Sequence, residues 1–157
     1  TAAHLLLDAD ALNSIANDSQ LATLLAARGA RQRQTVLTPH PLEAARLLAC
    51  TTAAVQADRL AAALQLAQRF SCTVVLKGSG TVIAAPGRLP LINPTGNARL
   101  ATAGTGDVLA GLIGARLAQG DSAFDAACAA VWLHGQAADA WPPNRALTAG
   151  ALAQAIV

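Results

Sequence analysis

The stretch Thr73-Val74-Val75-Leu76-Lys77-Gly78-Ser79-Gly80-Thr81 decides the fold class of this chain. Its first four residues are apolar or β-branched and predict a short buried strand, while the next five predict a loop at the end of that strand. An amphipathic helix is predicted directly before it, over residues 52–70. The predicted apolar face of that helix comprises Val55, Leu60, Leu64 and Ala67, and its water-facing side Gln56, Arg59 and Gln68. A helix that leads into a buried strand is typical of a parallel sheet covered by helices.

The same alternation of strands and helices runs along the whole chain. Strands are predicted over residues 5–7, 34–38 and 73–76, with a hairpin formed by 81–85 and 89–92. Helices are predicted over 11–16, 19–28, 41–48, 52–70, from within 104–107 to about 117, and 123–140, and the segment 147–156 closes the chain. The pattern predicts an α/β fold with a mostly parallel sheet covered on both faces.

The composition is that of a folded domain with no electrostatic bias. The 157 residues include 11 Lys+Arg and 9 Asp+Glu, for a net charge of +2, and 54% are hydrophobic. Such a chain is not disordered, and its charge favours neither a nucleic-acid nor a membrane partner. No apolar run approaches the ~18 residues of a membrane span. We therefore expect one domain with no nucleic-acid or membrane partner.

The three cysteines and the first residue lead to two further expectations. Cys50, Cys72 and Cys128 are far apart and odd in number, so we predict buried thiols in a reducing, cytoplasmic compartment. The chain contains no methionine and begins at Thr1. We expect that residues upstream of Thr1 complete the same fold.

Four polar clusters follow predicted strands, at residues 8–13, 38–43, 77–81 and 93–107. Ligands of open α/β sheets bind at the carboxyl ends of the strands. We therefore expect the four clusters to form one site.

The fourth cluster contains Gly104-Thr105-Gly106-Asp107, directly before an apolar helix. Glycines allow close approach to a ligand, and the free amides of a helix start favour phosphate. Asp107 could take a proton from a substrate hydroxyl, or it could merely complement the helix dipole beside a glycine turn. Lys77 and its two glycines could hold a phosphate or ribose of a nucleotide, although an ordinary hairpin turn with a solvated lysine is the simpler interpretation of this segment alone.

The first two clusters offer further ligand contacts. His40 lies between two prolines and could contact a substrate or simply lie at the surface. Glu43 could bind hydrated Mg²⁺ or serve as a first-turn glutamate. Of Asp8 and Asp10, we expect one to face the site and the other the helix layer. His4 and His134 are predicted to be structural.

Together and in this order, the four clusters closely resemble those of the ADP/ATP-dependent NAD(P)H-hydrate dehydratases, members of the ribokinase-like superfamily. The resemblance runs over residues 5–136 and implies a three-layer α/β/α sandwich. Residues 1–157 would then be the C-terminal portion of a single ribokinase-like nucleotide-binding domain, with the N-terminal part missing. The implied activity is the repair of hydrated NADH or NADPH. ADP or ATP phosphorylates the hydroxyl on the damaged ring, and loss of phosphate restores the double bond.

The resemblance also implies a role for each matched residue. Asp107 would be the catalytic base and contact the substrate, and His40 would bind the hydrated nicotinamide nucleotide. Glu43, with Asp10, would help to organise Mg²⁺. The nucleotide and its phosphoryl group would be bound by Lys77, Gly78, Ser79, Gly80, Thr81, Gly104, Thr105 and Gly106. Family members are often homo-oligomers, and many are fused to an upstream epimerase domain.

The chain departs from the family pattern at three places. Leu42 replaces a usual glycine, Ala98-Arg99 replaces Pro-Gly, and Leu100 replaces a common methionine. Leu42 is expected to add bulk near the substrate, and Arg99 a charge near the phosphates.

Two other functions are compatible with the same clusters. One is a ribokinase-like kinase of a small alcohol or vitamin precursor, and the other is a non-catalytic nucleotide-binding or assembly module. His40 and the strand end at residues 7–13 favour the dehydratase over the kinase. The choices of ADP or ATP, and of NADH or NADPH hydrate, stay open.

Overall fold

The structure, a computed structural model, describes residues 2–156 and contains one five-stranded sheet. Its strands lie in the order β1 (His4–Leu7), β2 (Gln34–Leu37), β3 (Thr73–Leu76), β4 (Val82–Ala84) and β5 (Leu91–Ile92). The first three strands pair in parallel, while β4 and β5 pair antiparallel and form the predicted hairpin. The predicted α/β class with a mostly parallel sheet is confirmed.

Helices fill the two connections between the parallel strands and follow the last strand. They are α1 (Asp10–Asn17), α2 (Ser19–Ala30), α3 (Pro41–Leu48), α4 (Thr52–Ala57), α5 (Arg59–Phe70), a short 3-10 helix (Ala98–Ala101), α6 (Thr105–Ala118), α7 (Ala123–Asp139) and α8 (Ala149–Ile156). Each parallel connection contains helices, as crossovers between parallel strands require.

The strands point alternate side chains into two separate cores. On β2 and β3, Leu37 and Val74 pack with helices α1–α5, whereas Val36 and Val75 pack with α6 and α7. This alternation follows from the two-residue period of a strand. The sheet therefore lies between two helical layers, which confirms the predicted three-layer α/β/α sandwich. A smaller cluster of Ala138, Leu147 and Leu152 attaches α8.

The single helix predicted over residues 52–70 is two helices, because the chain turns at Asp58. The backbone of Asp58 has φ −145° and ψ 81°, and its Oδ1 accepts a hydrogen bond from the Ala61 amide at 2.9 Å. Aspartate favours this N-cap conformation over a helix interior. Val55 and Ala67 are buried as predicted, but Leu60 is exposed and that prediction is wrong. The buried face of α5 comprises Ala62, Ala63, Leu66, Ala67 and Phe70.

The cysteines differ in their surroundings. Cys72 is buried and Cys128 half-buried, whereas Cys50 is exposed, so the prediction of a buried thiol is wrong for Cys50. Burial raises the pKa of Cys72 to about 12, which keeps this thiol protonated and unreactive. Among residues 2–156, no helix has the length and apolar character needed to cross a membrane.

Candidate functional site

The loops that follow β1, β2 and β3 are joined by backbone hydrogen bonds. The Thr38 amide donates to the Leu7 carbonyl at 3.2 Å, and the Lys77 amide donates to the Pro39 carbonyl at 2.8 Å. These bonds hold the first three polar clusters side by side at the carboxyl edge of the sheet, where α/β proteins bind ligands.

An ion pair connects the ends of β1 and β3. Lys77 Nζ lies 2.7 Å from Asp8 Oδ1, and the two side chains are only 21% and 13% exposed. Lys77 Nζ also lies 3.6 Å from where a Cβ on Gly106 would be, so the pair reaches the start of α6. Asp8 is thus the carboxylate that faces the site, while Asp10 opens α1 and is exposed.

The start of α6 is open to an anion. Gly104 is the N-cap with φ +86°, a conformation that favours glycine, and it offers no side-chain cap. Within residues 2–156, the amides of Gly106 and Asp107 donate no hydrogen bond. Thr105 is buried, and its hydroxyl lies within hydrogen-bond distance of the carbonyls of Leu100 (2.6 Å) and Thr102 (2.8 Å). The backbone of this turn, rather than the Thr105 side chain, is therefore available to a ligand.

Asp107 lies in the first turn of α6 and is exposed. Its Oδ2 is 4.0 Å from where a Cβ on Gly104 would be, which places the carboxylate beside the glycine turn. A carboxylate in this place can contact a ligand held by the free amides of the turn.

A buried histidine holds α6 against α7. His134 Nε2 donates to the Thr105 carbonyl at 2.9 Å. Burial lowers the pKa of His134, so the imidazole is neutral at neutral pH. The structural role predicted for His134 is confirmed, although its contact with the start of α6 was not predicted.

The segment before the 3-10 helix is attached to the end of α7 by Asp139. One carboxylate oxygen accepts from the Gly96 amide at 2.8 Å, and the other accepts from Asn97 Nδ2 at 3.0 Å. Arg99, expected near the phosphates, donates from Nη1 to the Trp141 carbonyl at 2.9 Å. Nothing in the local sequence pattern marked Asp139 as the anchor of this loop.

His40 and Glu43 form the N-terminal cap of α3. His40 Nδ1 accepts from the amides of Leu42 (3.1 Å) and Glu43 (3.4 Å), and Glu43 Oε2 accepts from the His40 amide at 2.8 Å. Glu43 Oε1 lies 3.3 Å from His40 Nε2. Glu43 is buried, His40 is partly exposed, and Leu42 is 43% exposed. The cap therefore engages both carboxylate oxygens of Glu43, one with the His40 amide and the other beside the His40 ring, while part of that ring stays exposed.

The side chains among residues 2–156 do not form a site that could bind a metal ion without further ligands. Among residues 2–156, no three His, Cys, Asp or Glu side chains cluster closely enough to ligate one. The Glu43 carboxylate is already engaged in the cap of α3. Mg²⁺ commonly takes most of its ligands from substrate phosphates and water. The metal roles of Glu43 and Asp10 stay predictions, and Glu43 would first have to leave its cap.

The loop at residues 77–81 is bound on its α5 side by Arg59, a residue that the sequence pattern predicted to face water. Arg59 is the first residue of α5, and its guanidinium donates to carbonyls of that loop. Arg59 is only partly exposed, so the prediction of a water-facing Arg59 is wrong, because its guanidinium is engaged by these carbonyls. The Asp-Arg pair at a helix start is the one local signal that could have indicated this.

A three-layer sandwich with an open, glycine-capped helix at the carboxyl edge of its parallel strands defines the ribokinase-like class of α/β proteins. Within this class, the sequence profile described as NAD(P)H-hydrate dehydratase matches residues 1–157. The chain belongs to this family.

Similar proteins agree with this assignment. An ADP-dependent (S)-NAD(P)H-hydrate dehydratase of Neisseria meningitidis is 53% identical over 94% of this chain and 48% of its own length. A bifunctional NAD(P)H-hydrate repair enzyme of Escherichia coli is 50% identical over 86% of this chain and 24% of its own. The ADP/ATP-dependent NAD(P)H-hydrate dehydratase of Bacillus subtilis, co-crystallised with ATP and Mg²⁺, superposes with a TM-score of 0.80 at 34% identity, over 98% of this chain and 52% of its own. The chain thus spans at most about half the length of these relatives.

Proposed function

We propose that the protein carries out the nucleotide-dependent dehydration of hydrated NADH or NADPH, using ADP or ATP as the phosphoryl donor. Membership of the family supports the reaction class. The observation that carries the proposal is the start of α6, where the free amides, the ammonium of Lys77 and the exposed carboxylate of Asp107 all lie beside the Gly104–Gly106 turn. A phosphoryl group and a hydroxyl must meet at such a place for the transfer to occur.

Asp107 is the proposed base of the phosphoryl transfer. Its carboxylate accepts the proton of the ring hydroxyl while the hydroxyl oxygen forms a bond to the terminal phosphorus of the nucleotide. The bond from that phosphorus to the bridging oxygen breaks, and the leaving group is ADP when ATP is the donor, or AMP when ADP is the donor. The bond from the ring carbon to the phosphate oxygen then breaks, so that phosphate leaves with the bonding electrons, and the neighbouring ring carbon loses a proton to solvent, which restores the double bond of the nicotinamide.

The backbone of Gly104, Thr105 and Gly106 is the proposed anion hole. The Gly106 amide, like that of Asp107 beside it, donates no hydrogen bond within residues 2–156, whereas the Thr105 amide donates to the Thr102 carbonyl at 3.3 Å and would have to exchange this bond for a phosphoryl oxygen. Free N–H groups at a helix start stabilise negative charge that develops on the transferred phosphoryl oxygens. Lys77 adds a positive charge near the same point. Because Lys77 is already paired with Asp8, its ammonium is held in place before a ligand arrives.

The remaining contacts are proposed from matched positions. The loop of Gly78, Ser79, Gly80 and Thr81 binds the adenine nucleotide, and the exposed edge of His40 contacts the hydrated nicotinamide nucleotide. Homo-oligomeric assembly and a cytoplasmic location are proposed as well. The bifunctional name of the Escherichia coli relative supports the proposal of a fused second domain, which the family resemblance implies to be an epimerase.

The test is recovery of NADH absorbance when the purified protein is given hydrated NADH, Mg²⁺ and either ADP or ATP. Asp107→Asn keeps the shape of the side chain but removes its basicity. We expect recovery with the native protein and a rate lowered by roughly 10²–10⁴-fold in the variant, the range for loss of a general base. Asp107 is exposed, so the variant should keep the native melting temperature.

Asp121→Asn is a suitable control, because Asp121 pairs with Arg116 at the far end of α6 and should not affect the rate. Full activity in Asp107→Asn would contradict the role of Asp107. A folded protein that binds nucleotide but returns no NADH would contradict the dehydratase, and stimulation of nucleotide turnover by simple alcohols would then favour a small-alcohol kinase.

A further inference from the structure

A guanidinium group lies directly behind the loop that follows β3. Arg59 Nη2 donates to the carbonyls of Leu76 at 3.0 Å and Lys77 at 3.2 Å, and Nη1 donates to the carbonyl of Ser79. One side chain of α5 thus engages three carbonyls at the end of β3 and in its loop. The planar, forked shape of arginine suits several acceptors at once, as the single ammonium of lysine does not.

These bonds determine where the loop amides point. The peptide bonds of residues 2–156 are trans, and the C=O and N–H of a trans unit point in opposite directions. The Lys77 carbonyl shares its unit with the Gly78 amide, and the Ser79 carbonyl shares its unit with the Gly80 amide. Since both carbonyls point to Arg59, both amides point away from α5. Within the part of the chain that the structure describes, neither amide donates a hydrogen bond.

Close packing and charge give Arg59 a further effect on the loop. A Cβ on Gly78 would lie 2.8 Å from Arg59 Nη2, and Gly78 has φ +143°, so this position requires glycine. Between residues 2 and 156, Arg59 makes no ion pair, and its carbonyl partners are neutral. Its partial burial lowers its pKa. The positive charge therefore lies against the loop without a counter-charge, which favours an anion on the other side.

We propose that Arg59 is a positioning residue for the adenine nucleotide. By holding the Lys77 and Ser79 carbonyls toward α5, it directs the amides of Gly78 and Gly80 to a phosphate oxygen of the nucleotide, and its charge strengthens that contact. This inference rests on the proposed function, which assigns the loop to the nucleotide.

The first experiment is calorimetric titration of the protein with ADP and with uncharged adenosine. Arg59→Gln, which removes the charge and the fork, should weaken ADP binding at least tenfold and adenosine binding far less. Arg59→Lys keeps the charge and should fall between the native protein and Arg59→Gln. Arg69→Gln is the matched control, because Arg69 lies on the same helix and donates to the Leu47 carbonyl at 2.6 Å, away from the loop. It should bind ADP as the native protein does.

The second measurement needs no nucleotide. Hydrogen exchange of the Lys77 amide, which donates to the Pro39 carbonyl, should be at least tenfold faster in Arg59→Gln than in Arg69→Gln. Native ADP affinity in Arg59→Gln, or unchanged exchange at Lys77, would overturn the inference. A native protein that binds neither ADP nor ATP would instead contradict the proposed function, a result distinct from binding that survives loss of Arg59.

Discussion

At the scale of single residues, the buried His134 beside the candidate site links the stability of the fold to pH. Its ring is buried, and its Nε2 holds the Thr105 carbonyl at the start of α6. Burial lowers the pKa of His134 below its ordinary value of 6.5. The unfolded chain therefore binds a proton more readily than the folded one at mildly acidic pH. Its contribution to stability is complete above about pH 6.5 and is lost as the pH falls toward the folded pKa.

We predict that the melting temperature of the native protein falls more steeply between pH 7.5 and pH 5.5 than that of His134→Gln. Glutamine can still donate to the Thr105 carbonyl but does not titrate in this range. The difference in unfolding free energy should grow by at most about 1.4 kcal/mol per pH unit. Thermal unfolding at a series of pH values measures it, and parallel curves for the two proteins would show that His134 does not titrate on unfolding.

At the scale of elements, α7 carries a glycine that admits the neighbouring loop. A Cβ on Gly135 would lie 2.1 Å from Thr95 Oγ1 and 2.7 Å from the Thr95 carbonyl carbon. Thr95 Oγ1 lies 3.1 Å from the Trp132 carbonyl on the same helix. The loop that leads to the 3-10 helix can therefore lie on α7 only while this position has no side chain.

We predict opposite effects for two glycine-to-alanine substitutions in helices. Gly135→Ala should destabilise the protein by ~1–3 kcal/mol or more, because the loop must move away from α7. Gly114→Ala, in α6 with nothing within 4 Å of the added methyl, should stabilise it by ~0.5–1 kcal/mol. Denaturant unfolding distinguishes the two, and a neutral Gly135→Ala would mean that the loop does not pack on α7 as described.

At the scale of the whole molecule, the candidate site exists only in the folded chain. Asp8 and Lys77 are 69 residues apart in the sequence, and Gly106 comes from a third region. A ligand that binds this arrangement has no comparable site in the unfolded chain. Binding must therefore stabilise the entire fold.

We predict that ADP or ATP at a hundredfold excess over its dissociation constant raises the free energy of unfolding by about 2.7 kcal/mol. At the same nucleotide concentration, Lys77→Ala should lose most of this gain in unfolding free energy, because it removes the positive charge beside Gly106. Leu89→Ala alters a side chain that is 86% exposed, lies outside the site and should keep the gain. Thermal unfolding of the native protein and both variants, with and without nucleotide, measures this gain. A gain in Lys77→Ala equal to that of the native protein would contradict a place for Lys77 in the proposed site.

Local patterns were sufficient to predict most of the elements and the polar clusters that the fold brings together at the candidate site. The apolar runs at β1, β2 and β3 and the glycine turn before α6 act over a few neighbouring residues, so their structure could be predicted from the sequence. The order of the polar clusters also indicated the family. The break at Asp58 was missed because the helical spacing of apolar residues continues across it in the sequence, and only the aspartate itself, a residue that favours N-cap positions, marks the new helix start.

The sequence by itself thus determined the α/β class and the family, and it predicted the carboxyl edge as the place of the candidate site. The tertiary structure decided which side chains work together there. Arg59 contacts the end of β3 and the loop after it, 17 to 20 residues away, and Asp139 contacts its loop across 42 and 43 residues. Periodicity describes which face of an element is apolar, but such contacts depend on how the elements pack. Partners that are distant in the sequence leave no local pattern from which to predict them.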